Sequence, residues 1–566
     1  MLAIFDDATA SRRMVFRAPR ECITAYAASE APAALAAIGQ AQSRGKHVAG
    51  WFAYELGYAL EARLAARLTP NPDRPLLKFG VYDAPQADAP SVTGRAYAGP
   101  LRPDWPQAEY DKAFDRVRAY IAAGDIYQAN LSFRAGFAFA GDPYCLYQRL
   151  LAHSGAAHCA YINDGARQIL SLSPELFFTL SPDGVITARP MKGTAPRQGH
   201  DDAERAALAA SAKDRAENLM IVDLIRNDLS RIAESGSVAV RDLFAVETYP
   251  TLHTMVSTVT ARKRADADVA DIIRALFPCG SVTGAPKIRA MEILHDLESS
   301  PRDVYCGAIG HFAPDGSAHF NVAIRTLTLA GGQGRFGIGG GVVQDSRAQS
   351  EYAECLLKAR FFEADRGPIG LIETLRFENG FVRLDDHLAR MRESAPLFGL
   401  SFDDQDARPA LSQAVAGKTG PLRVRLTLDE AGHHEVTTAP LGENPPHWTY
   451  RISPQRVQST DLLLRHKTNW RDLHDGEVAR LDSDEVIFLN ERGEVTEGAR
   501  SNIFVARDGV LLTPPLTAGV LPGCLRAELI AGGKAREAIL FPDDLDNGLW
   551  FGNSLRGLIP GTTTGD

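Results

Sequence analysis

The sequence lacks the features of a membrane-spanning, secreted or nucleic-acid-binding protein. No apolar run in its 566 residues approaches the roughly 18 needed to cross a bilayer. Residues 1–7 lack the basic region and apolar core of a signal peptide. No basic run offers phosphate contacts, and the net charge is −9. These absences predict a cytoplasmic protein that binds neither a membrane nor a nucleic acid.

Cysteine is scarce, and low-complexity sequence and internal repeats are missing. The seven cysteines are scattered without a C-x-x-C pair, which excludes a zinc ribbon and predicts reduced thiols. The chain is too long for one hydrophobic core. Its pattern changes at the Gly/Pro-containing stretch near residue 368, so we predict one domain over residues 1–365 and another over 366–566.

The stretch Arg189–Arg197 (RPMKGTAPR) is short, polar and rich in residues that break helices. Its two prolines exclude a helix, and Gly193 permits a tight turn. Such a loop presents the amine of Lys192 and the amides of Gly193 and Thr194 to a bound anion. A solvated surface loop is the usual interpretation of an isolated Lys-Gly-Thr. The stretch Arg189–Arg197 lies between two other unusual stretches, at residues 173–177 and 213–218, and this context favours a binding site instead.

Several carboxylates occupy unusual positions around this stretch. Glu175 follows a predicted strand at 169–173 and is either solvated or aimed into a cleft. Glu217 shares a face with apolar residues in a helix predicted over Glu217–Ile232, which is costly for a charge without a partner. Glu354 lies in a later helix beside Lys358, where a salt-bridge ladder is the alternative interpretation. Alternation also predicts a single strand over 319–329.

Seven ordered motifs resemble those of the chorismate-utilising enzyme family. They lie in the region from about residue 45 to 362: Gly124–Gln128, Ser173–Glu175, Ala216–Asn218, Asp223–Asp228, Gly280–Lys287, Ile324–Thr326 and Gly339–Gly341. The resemblance implies two antiparallel sheets packed together and wrapped by helices, with the active site between them.

The same resemblance implies particular site residues. The positions of Glu217 and Glu354 match the family's Mg2+ ligands, and oxygen ligands suit that cation. The substrate chorismate carries two carboxylates and needs many donors. The matching binders are Tyr305, Arg325 and Lys358, with backbone at Gly193, Thr194 and Gly341.

Lys192 distinguishes the branches of this family. Anthranilate synthases carry a small apolar residue at this position, whereas aminodeoxychorismate synthases carry lysine. The resemblance implies that Lys192 attacks the ring as a nucleophile and that Glu175 protonates the departing hydroxyl. A lysine near Mg2+ has its charged form disfavoured, which favours the free amine of Lys192. The family's usual histidine position holds Thr254, one residue after His253, so we leave His253 out of the predicted catalytic residues.

The second half resembles fold-type IV pyridoxal-phosphate enzymes over about residues 370 to 562. The matching segments are Glu373–Arg376, Leu384–Met391, His466–Thr468, Val495–Ile503, Thr513–Leu516, Gly519–Gly523 and Asn553–Ser554. Lys467 matches the lysine that binds the cofactor covalently, and Glu497 matches the carboxylate that pairs with the pyridine nitrogen. Arg390 and Ser554 match the phosphate contacts. Cys524 stands where branched-chain transaminases usually have threonine.

The two resemblances together predict an α+β protein: a chorismate-utilising two-sheet β-sandwich wrapped by helices, then a fold-type IV α/β domain. Aminodeoxychorismate made by the first unit is the substrate of a lyase in the second fold family. That pairing predicts synthesis of 4-aminobenzoate for folate, with Mg2+ and pyridoxal 5'-phosphate as cofactors.

The residues alone leave three alternatives open. The first unit fits an anthranilate synthase apart from Lys192, and the second fits an amino-acid aminotransferase or a non-catalytic docking module. The sequence lacks the Cys-His-Glu arrangement in a Gly-rich elbow that would indicate a glutaminase. We therefore expect ammonia from a separate glutamine amidotransferase subunit or from solution.

Overall fold

The computed structural model describes residues 1–7, 12–86, 88–90, 95–197, 199–248, 252–363 and 369–563. The predicted domain boundary at 365/366 lies outside the described residues. We call residues 1–363 the first unit and residues 369–563 the second unit. Within these ranges, no helix is both long enough and apolar enough to span a bilayer.

The first unit is built on twenty strands and ten α-helices among the described residues. The strands are β1 (Leu2–Asp7), β2 (Arg12–Phe16), β3 (Glu21–Ala25), β4 (His47–Phe52), β5 (Leu77–Tyr82), β6 (Ala96–Ala98), β7 (Arg102–Pro103), β8 (Gln128–Gly141), β9 (His158–Asn163), β10 (Gln168–Ser173), β11 (Leu176–Leu180), β12 (Val185–Arg189), β13 (Met191–Pro196), β14 (Ala239–Thr248), β15 (Leu252–Arg262), β16 (Gly284–Ala285), β17 (Ala308–Phe312), β18 (Ala318–Val322), β19 (Thr326–Ala330) and β20 (Gln333–Val342). The helices are α1 (Ala31–Ser43), α2 (Leu56–Leu60), α3 (Gln107–Ala122), α4 (Pro143–Ser154), α5 (Asp201–Ala210), α6 (Ala212–Ser230), α7 (Val269–Leu276), α8 (Lys287–Leu297), α9 (Ala348–Leu357) and α10 (Arg360–Glu363), with 3-10 turns at Ala65–Arg67 and Gly280–Val282.

These strands form two antiparallel sheets, as predicted. The first sheet runs β16-β8-β20-β19-β10-β9-β1-β2, with β6 and β7 also paired to β8. The second runs β13-β15-β12-β11-β18-β17-β4-β5-β3, with β14 paired to β15. Alternate residues of β8, from Leu131 to Phe139, are buried in one core cluster together with residues of α3 and α9. The alternate apolar residues of β8 therefore lie on the face of the sheet that these helices cover.

The predicted single strand over 319–329 is wrong, because the chain changes sheets there. β18 belongs to the second sheet and β19 to the first. Between them Arg325 has a φ of 48° and accepts a hydrogen bond from the amide of Leu172 at 3.1 Å. A left-handed backbone interrupts the extended conformation. The crossover places Arg325 between the two sheets.

The predicted loop at 189–197 is instead mostly strand, although no helix forms. Met191–Pro196 is β13, the outermost strand of the second sheet, where proline is tolerated. Its register on β15 shifts between Met191 and Thr194, and Gly193 within the irregularity has a φ of 91°. A local bulge, not a free loop, thus carries Lys192. The helix predicted from Glu217 begins earlier, at Ala212, because Ser211 caps it by accepting from the amide of Asp214.

The second unit has a small sheet and a larger mixed sheet. Its strands are β21 (Leu371–Phe377), β22 (Leu422–Leu428), β23 (His434–Pro440), β24 (Trp448–Val457), β25 (Glu485–Asn490), β26 (Val495–Gly498), β27 (Asn502–Arg507), β28 (Val510–Thr513), β29 (Ala535–Glu537), β30 (Leu549–Asn553) and β31 (Gly557–Thr563). Its helices are α11 (Leu384–Ser394), α12 (Asp404–Val415), α13 (Asp472–Leu481) and α14 (Cys524–Ala531), with 3-10 turns at Ala395–Phe398, Leu462–Leu464, Leu516–Ala518 and Pro542–Asn547. The small sheet is β21-β22-β23, and the larger one runs β26-β25-β24-β31-β30-β27-β28-β29.

The two units pack against each other through a shared apolar cluster. Tyr97, Ala138 and Ala140 of the first unit are buried in one cluster with Phe398, Leu462 and other residues of the second. The hydroxyl of Tyr97 also donates to the carbonyl of Phe398. We call this the inter-unit cluster.

Candidate active sites

A cavity of about 430 Å³ in the first unit collects the predicted site residues of that unit. Strands from both sheets and helices α6 and α9 contribute to its walls. It is lined by Glu175, Lys192, Gly193, Thr194, Glu217, Tyr305, Arg325, Gly341, Glu354 and Lys358. Residues more than 180 positions apart in sequence therefore meet in one place.

Glu175 is a buried acid at the end of β10, directly after Pro174. Its Oε1 accepts a hydrogen bond from the hydroxyl of Ser281 at 2.6 Å. Burial raises the pKa of Glu175 to about 7, opposed by the Ser281 hydrogen bond and by Lys192. A carboxyl that keeps its proton to near neutral pH is suited to protonate a leaving group.

Lys192 extends from the bulge of β13 across the cavity. A Cβ built on Gly341 of β20 would lie 3.6 Å from the Lys192 amine, so the amine reaches the opposite wall. The bulge is tightly held: a Cβ on Gly193 would come within 2.8 Å of the Cβ of Asp214. Thr254 donates to the carbonyl of Gly193 at 3.2 Å. The strand register and this contact fix the direction of Lys192.

Thr254 and His253 point to opposite faces of β15. His253 is fully buried and makes hydrogen bonds of 3.0 Å to Thr248 and 3.2 Å to Glu204. It is not among the residues that line the cavity.

The glycines of β20 allow Tyr305 to lie flat on the strand. A Cβ at Gly337 would be 2.1 Å from the Tyr305 ring, and one at Gly341 would be 2.6 Å from the Nε2 of Gln128. Any larger residue at these positions would collide with the cavity wall. Burial raises the pKa of Tyr305 well above its ordinary value, so its hydroxyl remains a hydrogen-bond donor.

Four carboxylates from two helices line this cavity: Asp214 and Glu217 of α6, and Glu351 and Glu354 of α9. Glu217 of α6 lies 3.8 Å from the amine of Lys213, and Glu354 of α9 pairs with Lys358 at 3.0 Å. Burial raises the pKa of Glu217, whereas for Glu354 burial is outweighed by Lys358, which lowers the pKa. Glu351 is only 8% exposed. Its spacing of three residues from Glu354 puts it on the same face of α9, although the sequence analysis gave it no role.

Sequence reasoning also missed the support behind the cavity. Arg302 is buried and donates to the carbonyls of Asn130 at 2.6 Å and Val282 at 2.8 Å, and both of these residues line the cavity. Its charge is balanced by Glu298 at 2.6 Å. Nothing in the local pattern around Arg302 signals these contacts. Ser281, in contrast, lies within the motif Gly280–Lys287, so that motif is a sequence signal for this residue.

A second cavity, of about 650 Å³, lies in the second unit. It is lined by all four predicted cofactor residues: Arg390, Lys467, Glu497 and Ser554. Cys524, at the start of α14, also lines it. Arg390 lies in α11, Glu497 in β26 and Ser554 in the turn after β30. Lys467 lies in the segment before α13.

Lys467 is held on the edge of the small sheet. Its carbonyl accepts from the amide of Ile372 at 2.9 Å, and Thr468 bridges to Leu371. Burial lowers the pKa of Lys467 to about 8, although Glu373 opposes this change. A lysine that gives up its proton near neutral pH is suited both to bind a carbonyl and to move a proton.

Glu497 is the counterpart of Lys467 in this cavity. Burial raises the pKa of Glu497 to about 8, and its Oε2 accepts from the amide of Leu521 at 2.9 Å. A buried carboxyl of this kind fits a cationic nitrogen, which would compensate its charge. The cavity thus contains an amine and a carboxyl group whose pKa values both lie at about 8.

Arg390 and Ser554 belong to a network centred on Glu373. Arg390 donates to both oxygens of Glu373, at 2.8 and 2.6 Å, and His387 bridges Glu373 at 2.6 Å to the hydroxyl of Ser554 at 2.8 Å. Although burial acts in the opposite direction, Arg390 and His387 hold the pKa of Glu373 far below its usual range. The sequence singled out Glu373 only as the start of a motif and missed this role.

Comparison with known proteins agrees with this arrangement. Residues 3–364 match the chorismate binding enzyme family, and residues 370–563 match the class IV amino-transferase family. Aminodeoxychorismate synthase component 1 of Klebsiella aerogenes is 40% identical over 334 residues, covering 54% of this chain and 74% of that protein. The protein of the same name from Escherichia coli K12 is 44% identical over 261 residues, covering 45% of this chain and 57% of that protein.

A solved structure shows the same fold for the first unit. Anthranilate synthase component I of Streptococcus pneumoniae is 24% identical, with a TM-score of 0.55 over 63% of this chain and 92% of that chain. The two-sheet architecture predicted from the motifs is therefore confirmed. The chain belongs to the family of chorismate binding enzymes, and its second unit is a class IV amino-transferase domain.

Proposed function

We propose that this protein makes 4-aminobenzoate for folate synthesis in two steps. The first unit aminates chorismate to 4-amino-4-deoxychorismate, and the second removes pyruvate from that intermediate. The observation that carries the proposal is the presence of Lys192 inside the first cavity together with the buried acid Glu175, whose pKa burial raises to about 7. The relatives named aminodeoxychorismate synthase component 1 support the same assignment.

In the first unit, the substrate dianion is held by Arg325, Lys358 and Tyr305. Lys192 adds to ring carbon C2 as the bond from C4 to its hydroxyl breaks, and the proton of Glu175 leaves with that hydroxyl as water. Ammonia then adds at C4 and expels the Lys192 amine from C2. The route requires Lys192 as free amine and Glu175 as acid at the same pH.

Mg2+ fits the carboxylates of the first cavity. Glu217 and Glu354 would hold it, with Glu351 near them, because hard oxygen ligands are those that Mg2+ prefers. When bound, the ion supplies positive charge for a substrate carboxylate. A side chain at Gly341 would project toward Lys192, so glycine keeps this part of the cavity open.

Replacing either proposed metal ligand should weaken the response to Mg2+. In Glu217→Gln or Glu354→Gln, we expect the Mg2+ concentration for half-maximal chorismate consumption to rise about tenfold or more, since a charged ligand is lost. Cofactor binding by the second unit should stay unchanged. Glu109→Gln, which removes an exposed carboxylate of α3 outside the cavity, is the matched control. A parental Mg2+ titration of Glu354→Gln would leave that residue only a salt-bridge partner of Lys358.

Pyridoxal phosphate fits the second cavity. Lys467 would hold it covalently, Glu497 would keep the ring nitrogen protonated, and Arg390 and Ser554 would contact the phosphate. When bound, it supplies an electron sink joined to the substrate amine. Lys467 removes the proton at C4 of aminodeoxychorismate, the C3 enolpyruvyl oxygen departs, and the ring becomes aromatic. Pyruvate and 4-aminobenzoate are the products.

We further propose a cytoplasmic protein that takes ammonia from a glutamine amidotransferase subunit or from solution. Product analysis of the purified chain tests the whole assignment. With chorismate, ammonium and Mg2+, we expect aminodeoxychorismate to accumulate without pyridoxal phosphate. With it, equal amounts of pyruvate and 4-aminobenzoate should form. Anthranilate as the product would refute the first assignment, and amine transfer that depends on a 2-oxo acid would refute the second.

A further inference from the structure

Six arginines line the second cavity, and three of them, Arg390, Arg471 and Arg556, have hydrogen-bond partners. Arg390 pairs with Glu373, and Arg556 donates to the side chain of Asn444 at 3.1 Å. For Arg423, Arg425 and Arg500, in contrast, no hydrogen bond or ion pair of the guanidinium exists among the described residues. All three are exposed, and all three line the cavity. Only Arg423 and Arg425 share an element.

Strand pairing places these two side chains on the face of the small sheet that carries the proposed cofactor lysine. Arg425 lies directly opposite Thr374, and Arg423 lies opposite Arg376. Directly paired residues point to the same face, as do alternate residues of one strand. Ile372 is therefore also on this face, and it lines the same cavity as Lys467, Arg423 and Arg425.

The residues on this face follow one another along β21 and β22 with increasing distance in register from Lys467. Ile372 comes first, then Thr374 with Arg425, then Arg376 with Arg423. Residues two apart on a strand are about 6.6 to 6.8 Å apart along it, so the two guanidinium groups rise from neighbouring positions. Their spacing suits two separate anions on one small molecule.

Among the described residues, no acidic side chain pairs with Arg423 or Arg425. Arg376 is neutralised by Glu378, but the residues of β23 opposite Arg425 and Arg423 are Thr437 and Ala439. Like charges on neighbouring positions of one face disfavour folding. A bound dianion would remove that repulsion.

We infer that Arg423 and Arg425 bind the two carboxylates of a cyclic dicarboxylate amine, which rests on the proposed lyase function. They select aminodeoxychorismate over amino acids with one carboxylate. The reaction divides the two anions between its products: pyruvate takes one carboxylate and 4-aminobenzoate keeps the other. Each product is then held by a single anion, so cleavage weakens binding and favours release.

The test measures pyruvate release from purified aminodeoxychorismate by the full-length protein loaded with pyridoxal phosphate. In Arg423→Gln and Arg425→Gln, we expect KM to rise about tenfold or more each, because each change removes a charge-assisted hydrogen bond. Inhibition by isophthalate, which has two carboxylates, should weaken more than inhibition by benzoate, which has one. Arg456→Gln, an exposed arginine of β24 outside the cavity, is the control and should behave like the parent.

The outcomes separate the two claims. A parent protein that releases no pyruvate overturns the lyase function. A parent that releases pyruvate, together with an Arg423→Gln/Arg425→Gln variant of unchanged KM, overturns only the role of the arginines. Unchanged cofactor absorbance in the variants shows that a raised KM comes from lost substrate contacts and not from a damaged cofactor site.

Discussion

Lys467→Ala is expected to abolish formation of pyruvate and 4-aminobenzoate while chorismate is still consumed. The variant lacks the amine that we propose to bind the cofactor and to move the proton at C4, so we expect a loss of about 1000-fold or more. The first cavity contains the proposed nucleophile Lys192 and the proposed acid Glu175, and Lys467 does not line it. Aminodeoxychorismate should therefore accumulate.

Separate measurements of chorismate, aminodeoxychorismate, pyruvate and cofactor absorbance check this result. The absorbance of bound pyridoxal phosphate should change, because its covalent link is lost. Lys534→Ala, an exposed lysine of the second unit outside the cavity, is the control. An active aminodeoxychorismate lyase added in trans should convert the accumulated intermediate. Parental production of 4-aminobenzoate by Lys467→Ala alone would exclude the second unit as the lyase.

Lys192→Ala is expected to slow chorismate consumption by about 100-fold to 10,000-fold, because the covalent route is lost. Any remaining amination would come from direct attack by ammonia and would give the product of anthranilate synthases. The cavity otherwise keeps its acid, Glu175, and its carboxylate binders. The measurement is the rate of chorismate loss together with the identity of the aromatic product.

The controls for Lys192→Ala address folding and charge. Pyruvate release from supplied aminodeoxychorismate should remain parental, since the second unit is unaltered. Lys112→Ala, which removes an exposed lysine of α3, should leave chorismate consumption unchanged. Unaltered kinetics of Lys192→Ala would mean that the residue is a binding contact or a bystander and not the nucleophile.

Much of the fold was predictable because the motifs lie at the ends of elements that one cavity brings together. The alternation of β8 and the glycines of β20 each indicate a strand that packs closely. The crossover at Arg325 was not predictable, because the apolar alternation continues across the point where the chain changes sheets. Likewise, the prolines around Lys192 exclude a helix but do not distinguish an edge strand from a loop.

The supporting contacts were the least predictable part of the candidate sites. Glu373 and Arg390 are 17 residues apart and meet only when α11 packs on β21. Arg302 reaches Asn130 across 172 positions. Such pairs depend on tertiary packing, for which local periodicity carries no signal. The roles of the residues themselves remain predictions for the variants above to test.

The inter-unit cluster has a consequence for the independence of the two halves. β8 lines the first cavity near one end, at Asn130, and presents Ala138 and Ala140 to the second unit near its other end. On the other side, Phe398 packs against His466, the residue next to Lys467, with ring centres 5.4 Å apart. Cutting the chain at the junction would expose this apolar surface on both halves. The two units therefore share one piece of hydrophobic core, and a change in the stability of one unit should be felt by the other.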